Sequence, residues 1–61
     1  MEPTRILIVE DETIVALDIQ DRLEDLGYQV AGVADRGEDA LALTASTQPD
    51  LVLMDVQLKG Q

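Results

Sequence analysis

Three carboxylates stand directly after apolar runs of the sequence, where they could hold a cation or act as nucleophiles. Glu10 and Asp11 follow the run at residues 6–9, and Asp55 follows the run at residues 51–54. Carboxylate oxygens are ligands of hard cations, and a site with few carboxylates and water in the remaining positions suits Mg²⁺. A carboxylate can also attack a phosphoryl group to form an aspartyl phosphate. These residue types indicate metal-dependent phosphoryl chemistry, provided that the fold brings them together.

The elements that must position these acids are three predicted strands and two predicted helices. Residues 5–10, 28–35 and 50–55 form short apolar runs rich in Ile, Val and Leu, which favours β-strands. The first and third runs are continuous, as in parallel strands with both faces covered. Residues 11–27 and 36–49 have helical patterns between them. Asp11 is the predicted N-cap of the first helix and Gly27 its stop, while Gly37 opens the second helix and Pro49 ends it.

Each predicted helix carries an apolar face for the sheet. The residues of the first helix that share this face are Val15, Ala16, Ile19, Leu23 and Leu26. Ile14 and Leu17 fall outside that stripe, which predicts a second apolar neighbour for the helix. Ala40, Leu41 and Leu43 make the main apolar contribution of the second helix.

The alternation of strands and helices predicts an α/β fold with a doubly wound parallel sheet and right-handed crossovers. The predicted order along the chain is β1-α1-β2-α2-β3, and the predicted spatial order is 2-1-3. Ligands of such sheets bind at the carboxyl ends of the strands, where the strand order reverses. Glu10, Asp11 and Asp55 then converge, and Asp35 lies one strand further out. Close carboxylate pairs repel by on the order of several kcal/mol at an effective dielectric near 20, which a divalent cation would offset.

Composition excludes several other classes of chemistry. The chain has no Cys and no His, so disulfides, thiolate metal sites and Ser-His or Cys-His catalysis are ruled out within it. A net charge of −9 argues against binding nucleic acid or an anionic membrane through this segment. No stretch approaches the roughly 20 apolar residues of a membrane helix. The N-terminal residues lack the pattern of a signal peptide, which predicts a cytoplasmic protein.

The segments "ILIVEDE" and "PDLVLMDVQLKG" together resemble the receiver domain of two-component response regulators. The resemblance covers nearly the whole chain, and it corresponds to the N-terminal half of that domain. It implies a flavodoxin-like fold, with residues 1–61 as a single truncated domain. It also implies a signalling module rather than a turnover enzyme, with a sensor histidine kinase or phosphotransfer protein as the phosphoryl donor and an effector domain or protein downstream.

The resemblance also implies roles for individual residues. Asp55 would be the phosphoacceptor, and Asp11 and Asp55 would bind Mg²⁺ directly. The backbone carbonyl of Gln57 would be the third protein ligand, and Glu10 would act through water or as a supporting acid. The family's later strands carry a Ser or Thr and a Lys that contact the phosphoryl group. Those positions fall outside this sequence, and Lys59 is in the wrong place to replace the family's Lys.

Other interpretations stay open at this point. Asp11 could serve only as a helix cap. The chain could be a receiver-like interaction fragment that is not competent for phosphorylation by itself, with the apolar edge of the third strand exposed for self-association. A haloacid-dehalogenase-type phosphohydrolase would need a second acid two residues after the nucleophile, where this chain has Gln57. A dinucleotide-binding fold would need a glycine-rich turn after the first strand, where this chain has acids.

Overall fold

The computed structural model describes residues 2–54 of the 61-residue chain. Its elements are β1 (Arg5–Val9), α1 (Thr13–Asp25), β2 (Gln29–Ala34), α2 (Gly37–Thr47) and β3 (Leu51–Met54). The three strands form one sheet in the order β2-β1-β3, and both neighbouring pairs are parallel. The predicted fold class, element order and strand order are therefore confirmed.

The central strand β1 forms the core of the described structure. Leu7 and Ile8 are completely buried, and Ile6 and Val9 are nearly so. Both helices pack on β1 and β2, and α1 makes no contact with α2 within the described residues. Consecutive right-handed crossovers that run in opposite directions place their helices on opposite faces of a sheet. The continuous apolar run of β1 therefore reflects a strand that is covered on both faces.

The edge strand β3 is more exposed than β1, although both are continuous apolar runs. Its four side chains, from Leu51 to Met54, are 38% to 54% exposed. Among the described elements, β3 contacts only β1. The prediction that both faces of this strand are covered is wrong for the described part of the chain, because neither α1 nor α2 reaches it.

The first helix begins later than the sequence indicates and ends where the sequence predicts. Its N-cap is Glu12 rather than Asp11, and no side chain caps it. At the other end, the N–H of Tyr28 donates to the carbonyl of Leu23, and the N–H of Gly27 donates to that of Glu24. This pattern is a Schellman motif, which needs a left-handed residue after the cap. Gly27 supplies it with a φ of 95°, so the predicted glycine stop is confirmed.

The apolar stripe of α1 is confirmed except at its last residue. Ala16 is buried, and Val15, Ile19 and Leu23 are half-buried. Leu26 was predicted to join them but is exposed, because it is the C-cap and lies beyond the last helical residue. Ile14, predicted to need another apolar neighbour, is 83% exposed.

The second helix packs through fewer residues than the sequence predicts. Ala40 forms a cluster with Val9 and Ala34, and Leu43 packs against it. Leu41 is 75% exposed, which contradicts its predicted packing role. Successive residues of a helix point about 100° apart, so Leu41 is turned away when Ala40 faces the sheet.

The second helix ends close to the proline that the sequence analysis identified as its stop. The helix ends at Thr47, two residues before Pro49, through a left-handed Gln48 with a φ of 49°.

Gly32 of β2 lies beside an irregularity of the β1–β2 register, where Ile6 pairs with Val30 but Leu7 pairs with Gly32. A side chain at Gly32 would start 3.5 Å from Leu7 Cδ1 and 3.7 Å from Leu43 Cδ1. Gly32 therefore lies at a bulge, and a Cβ at this position would make ordinary van der Waals contact with Leu7 and Leu43.

Candidate acidic site at the carboxyl edge of the sheet

Glu10 is the first residue after β1, and its side chain is only 3% exposed. Its backbone N–H donates to the carbonyl of Ala34 at 2.8 Å, which extends the pairing of β1 with β2 by one residue. Its carboxylate Oε1 accepts a hydrogen bond from the backbone N–H of Glu12 at 3.1 Å. A buried carboxylate is tolerated when such hydrogen bonds replace its lost hydration. The turn between β1 and α1 therefore holds Glu10 in a fixed position.

Asp11 lies in the bend between Glu10 and the N-cap residue Glu12, and its side chain is exposed. Because Glu12 occupies the N-cap position, the interpretation of Asp11 as the cap of α1 is wrong. Its exposure at the carboxyl end of β1 is compatible with the role of a metal ligand. That role stays a prediction.

A cleft of about 540 Å³ opens at the carboxyl ends of β1 and β2. Glu10 lines it together with Asp35, at the end of β2, and Asp39, in the first turn of α2. Thr13 and Leu17 of α1 also line it. Three acids therefore border one cleft. Glu10 follows the central strand, whereas Asp35 and Asp39 lie on the side of β2, the outer strand farthest from β3.

Asp35 and Asp39 form a carboxyl pair that the sequence prediction left outside the site. A hydrogen bond between their side chains raises the pKa of Asp39, and the nearby charge of Asp35 raises it further. The same hydrogen bond lowers the pKa of Asp35. As the pH falls, Asp39 therefore takes up a proton before Asp35 does. The spacing of four residues is compatible with such a pair, but the two side chains meet only through the conformation of the turn from β2 into α2, which the sequence does not specify.

The described residues contain only part of the predicted site. Asp55 and Gln57 lie outside them, so the proposed phosphoacceptor and two of the metal ligands are not placed. Within residues 2–54, no group of three acidic residues is arranged to hold a metal ion. The carboxylates of Glu10 and Asp11 have the chemistry that Mg²⁺ prefers, but a magnesium site on this edge needs further oxygen ligands.

The strand β3 leads to the same edge. It runs parallel to β1 in the register Ile6 with Leu51 through Val9 with Met54. Val9 precedes Glu10 in the sequence, and Met54 precedes Asp55. The two strands therefore bring the chain to the carboxyl edge side by side, immediately before the predicted site acids.

A parallel sheet in the order β2-β1-β3, with acids after its central strand, defines an α/β protein of the flavodoxin-like class. Neither of the two helices in the described residues has the length and apolar character that a membrane crossing requires. Residues 6–61 match the family model of the response regulator receiver domain. The chain belongs to this family, and it corresponds to the N-terminal half of the domain.

Similar proteins include response regulators and a transcriptional regulatory protein. The chain is 46% identical over 57 residues to the response regulator GacA of Pseudomonas aeruginosa. It is 41% identical over 56 residues to the transcriptional regulatory protein PdtaR of Mycobacterium tuberculosis. In both cases the match covers 92% of this chain and 27% of the relative. The crystal structure of the response regulator PhyR from Brucella abortus matches with a TM-score of 0.86 and 43% identity, over 95% of this chain and 24% of that one.

The chain thus spans about a quarter of the length of these relatives. Family membership establishes a receiver-type signalling module. The particular activity, partners and output of this chain are matters of proposal.

Proposed function

We propose that the chain belongs to a phosphoacceptor module that receives a phosphoryl group on Asp55 from a sensor histidine kinase or phosphotransfer protein. The observation that carries this proposal is the pairing of β1 with β3. This pairing brings the buried Glu10, the exposed Asp11 and the last described residue of β3, Met54, to one edge of the sheet. A cytoplasmic location and a downstream effector domain or protein are parts of the same proposal.

The proposed transfer is a displacement at phosphorus. A carboxylate oxygen of Asp55 forms a bond to phosphorus, and the bond from phosphorus to the imidazole nitrogen of the donor breaks. The electron pair of the broken bond stays on the imidazole, which takes up a proton, and Asp55 becomes an acyl phosphate. Asp11, Asp55 and the backbone carbonyl of Gln57 would hold Mg²⁺, with Glu10 as a supporting acid. The bound cation would neutralise charge on the phosphoryl oxygens.

The proposal predicts magnesium-dependent labelling by a small phosphoryl donor. We expect the chain, incubated with Mg²⁺ and acetyl phosphate, to gain one phosphoryl group by intact mass. Removing Mg²⁺ with a chelator should abolish the gain, and Asp11→Asn should reduce it strongly because the variant loses a charged ligand. The matched control is Asp21→Asn, which removes the same charge from an exposed position of α1. Equal labelling with and without Mg²⁺ would contradict the proposed metal role.

A second candidate function is that of an interaction fragment that does not take phosphate by itself. The apolar residues of β3 favour it, because all four are exposed on an edge strand that contacts only β1 among the described elements. An apolar strand with an unpaired edge is a template for association with another chain. The occupant of this edge that we propose for the 61-residue chain in isolation is a second copy.

If the chain self-associates through β3, a charged side chain on this strand should strongly reduce oligomer formation. We expect the isolated chain to sediment as an oligomer, and Leu53→Lys to shift it toward monomer, because a charged side chain on an edge opposes strand pairing. Leu41→Lys is the control, since it makes the same change on the exposed face of α2. A wild-type chain that sediments as a single monomeric species and unfolds cooperatively would exclude this candidate.

A further inference from the structure

Two hydrogen bonds, each donated by a backbone N–H, join Arg5 and Asp50 at the amino end of the sheet. The backbone N–H of Arg5 donates to Asp50 Oδ2 at 2.8 Å. In return, the backbone N–H of Asp50 donates to the carbonyl of Arg5 at 2.8 Å. The first residue of β1 is thereby tied to the residue that precedes β3.

The side chain of Arg5 extends this connection to α2. Its guanidinium Nη1 donates to the backbone carbonyls of Thr47 and Gln48, at the end of the helix. A cation at this end also interacts favourably with the helix dipole. The short connection from α2 to β3 is therefore attached to Arg5 before and after Pro49.

The apolar residues of β3 specify its register weakly. A one-residue slip moves every side chain of a strand to the other face, and burial of one face normally penalises it. Here Leu51, Val52, Leu53 and Met54 are all apolar and all between 38% and 54% exposed. A slip would therefore exchange one partly exposed apolar face for another at little cost. The polar contacts of Asp50 distinguish the observed register from its neighbours.

We infer that Arg5 and Asp50 form a register lock that fixes β3 on β1. The lock thereby sets which residue of the chain reaches the acidic edge, where the proposed function requires Asp55. The inference rests on the proposed function of Asp55. A slip by one residue would move the strand by about 3.3 Å and reverse the direction of each side chain. Arg5 and Asp50 are positioning residues that act from the opposite end of the sheet, and Asp50 precedes the acceptor by five residues in the sequence.

Cysteine pairs can measure the register directly, because the natural chain has no Cys. Ile8→Cys with Leu53→Cys joins two residues that pair in the observed register. Ile8→Cys with Val52→Cys, or with Met54→Cys, reports a slip in one direction or the other. Side chains of adjacent strand residues point to opposite faces, so only correctly paired cysteines can meet the geometry of a disulfide.

Asp50→Ala should reduce the disulfide yield of the observed-register pair several-fold and raise that of a slipped pair. Asp50→Asn should restore the wild-type ratio, since its amide oxygen still accepts from the N–H of Arg5. Arg5→Met removes only the guanidinium bonds and should give an intermediate ratio. Asp21→Ala, an exposed change on α1, is the control and should leave the ratio unchanged.

Phosphoryl transfer supplies the second readout, measured on the same variants without the added cysteines. Asp50→Ala should slow labelling by acetyl phosphate on the order of 100-fold, as expected for a misplaced reacting group, and Asp50→Asn should restore it. An unchanged disulfide ratio in Asp50→Ala would overturn the inference. Loss of the disulfide in all three cysteine pairs, together with unfolding, would also overturn it, since Asp50 would then contribute to stability alone. A wild-type chain that shows the observed register but takes no phosphoryl group would refute the proposed function instead.

Discussion

Replacement of Asp55 with Asn is expected to abolish phosphoryl incorporation from acetyl phosphate in the presence of Mg²⁺. The amide has nearly the same shape as the carboxylate, but it carries no negative charge and its oxygen is a poor nucleophile. The same change removes a proposed charged ligand of the metal. The two losses act on the same step, so the expected product by intact mass is the unmodified chain.

Two comparisons make this experiment specific to Asp55. Asp21→Asn changes the net charge by the same amount at an exposed position of α1, and it should be labelled as the wild type is. Peptide mapping of the labelled wild-type chain should place the phosphoryl group on the segment that contains Asp55. Labelling of Asp55→Asn at the wild-type level would show that another acid is the acceptor. The exposed Asp11 would then be the first residue to test.

The architecture was predictable because each of its decisive signals is local. Continuous apolar runs, helical spacing and the glycine after α1 together specify an alternating α/β chain, and the alternation leads to a parallel sheet. The errors arise where neighbours outside an element decide the outcome. β3 has the composition of a covered strand, yet its exposure depends on which elements lie beside it. Leu41 and Leu26 are apolar but exposed. Leu41 lies on the side of α2 turned away from the sheet, and Leu26 lies beyond the last residue of α1.

The acidic edge was predictable in outline and not in detail. The position of Glu10 follows from the rule that parallel strands end at one edge, and the structure places it there, buried beside the start of α1. The N-cap could not be assigned from composition, because Asp11 and Glu12 are both acids just before an apolar helix. The pairing of Asp35 with Asp39 depends on the conformation of the turn between β2 and α2.

Leu7→Ala is expected to leave most of the isolated chain unfolded. Leu7 is completely buried in the central strand, beside Gly32 and within reach of Leu43. Truncating a buried Leu costs about 2–5 kcal/mol, because contacts are lost and the cavity closes only in part. A single core of this size rarely supplies more than about 3–5 kcal/mol in total. The measurement is a comparison of far-ultraviolet circular dichroism and urea unfolding with the wild-type chain.

Leu41→Ala makes the same chemical change at a position that is 75% exposed, and it should alter the free energy of unfolding by less than about 0.5 kcal/mol. Because Leu7 lies on β1, which leads into Glu10 and pairs with β3, its loss should also remove phosphoryl labelling, whereas Leu41→Ala should retain it. If the 61-residue chain tolerates Leu7→Ala with little loss of stability, its stability does not reside in β1.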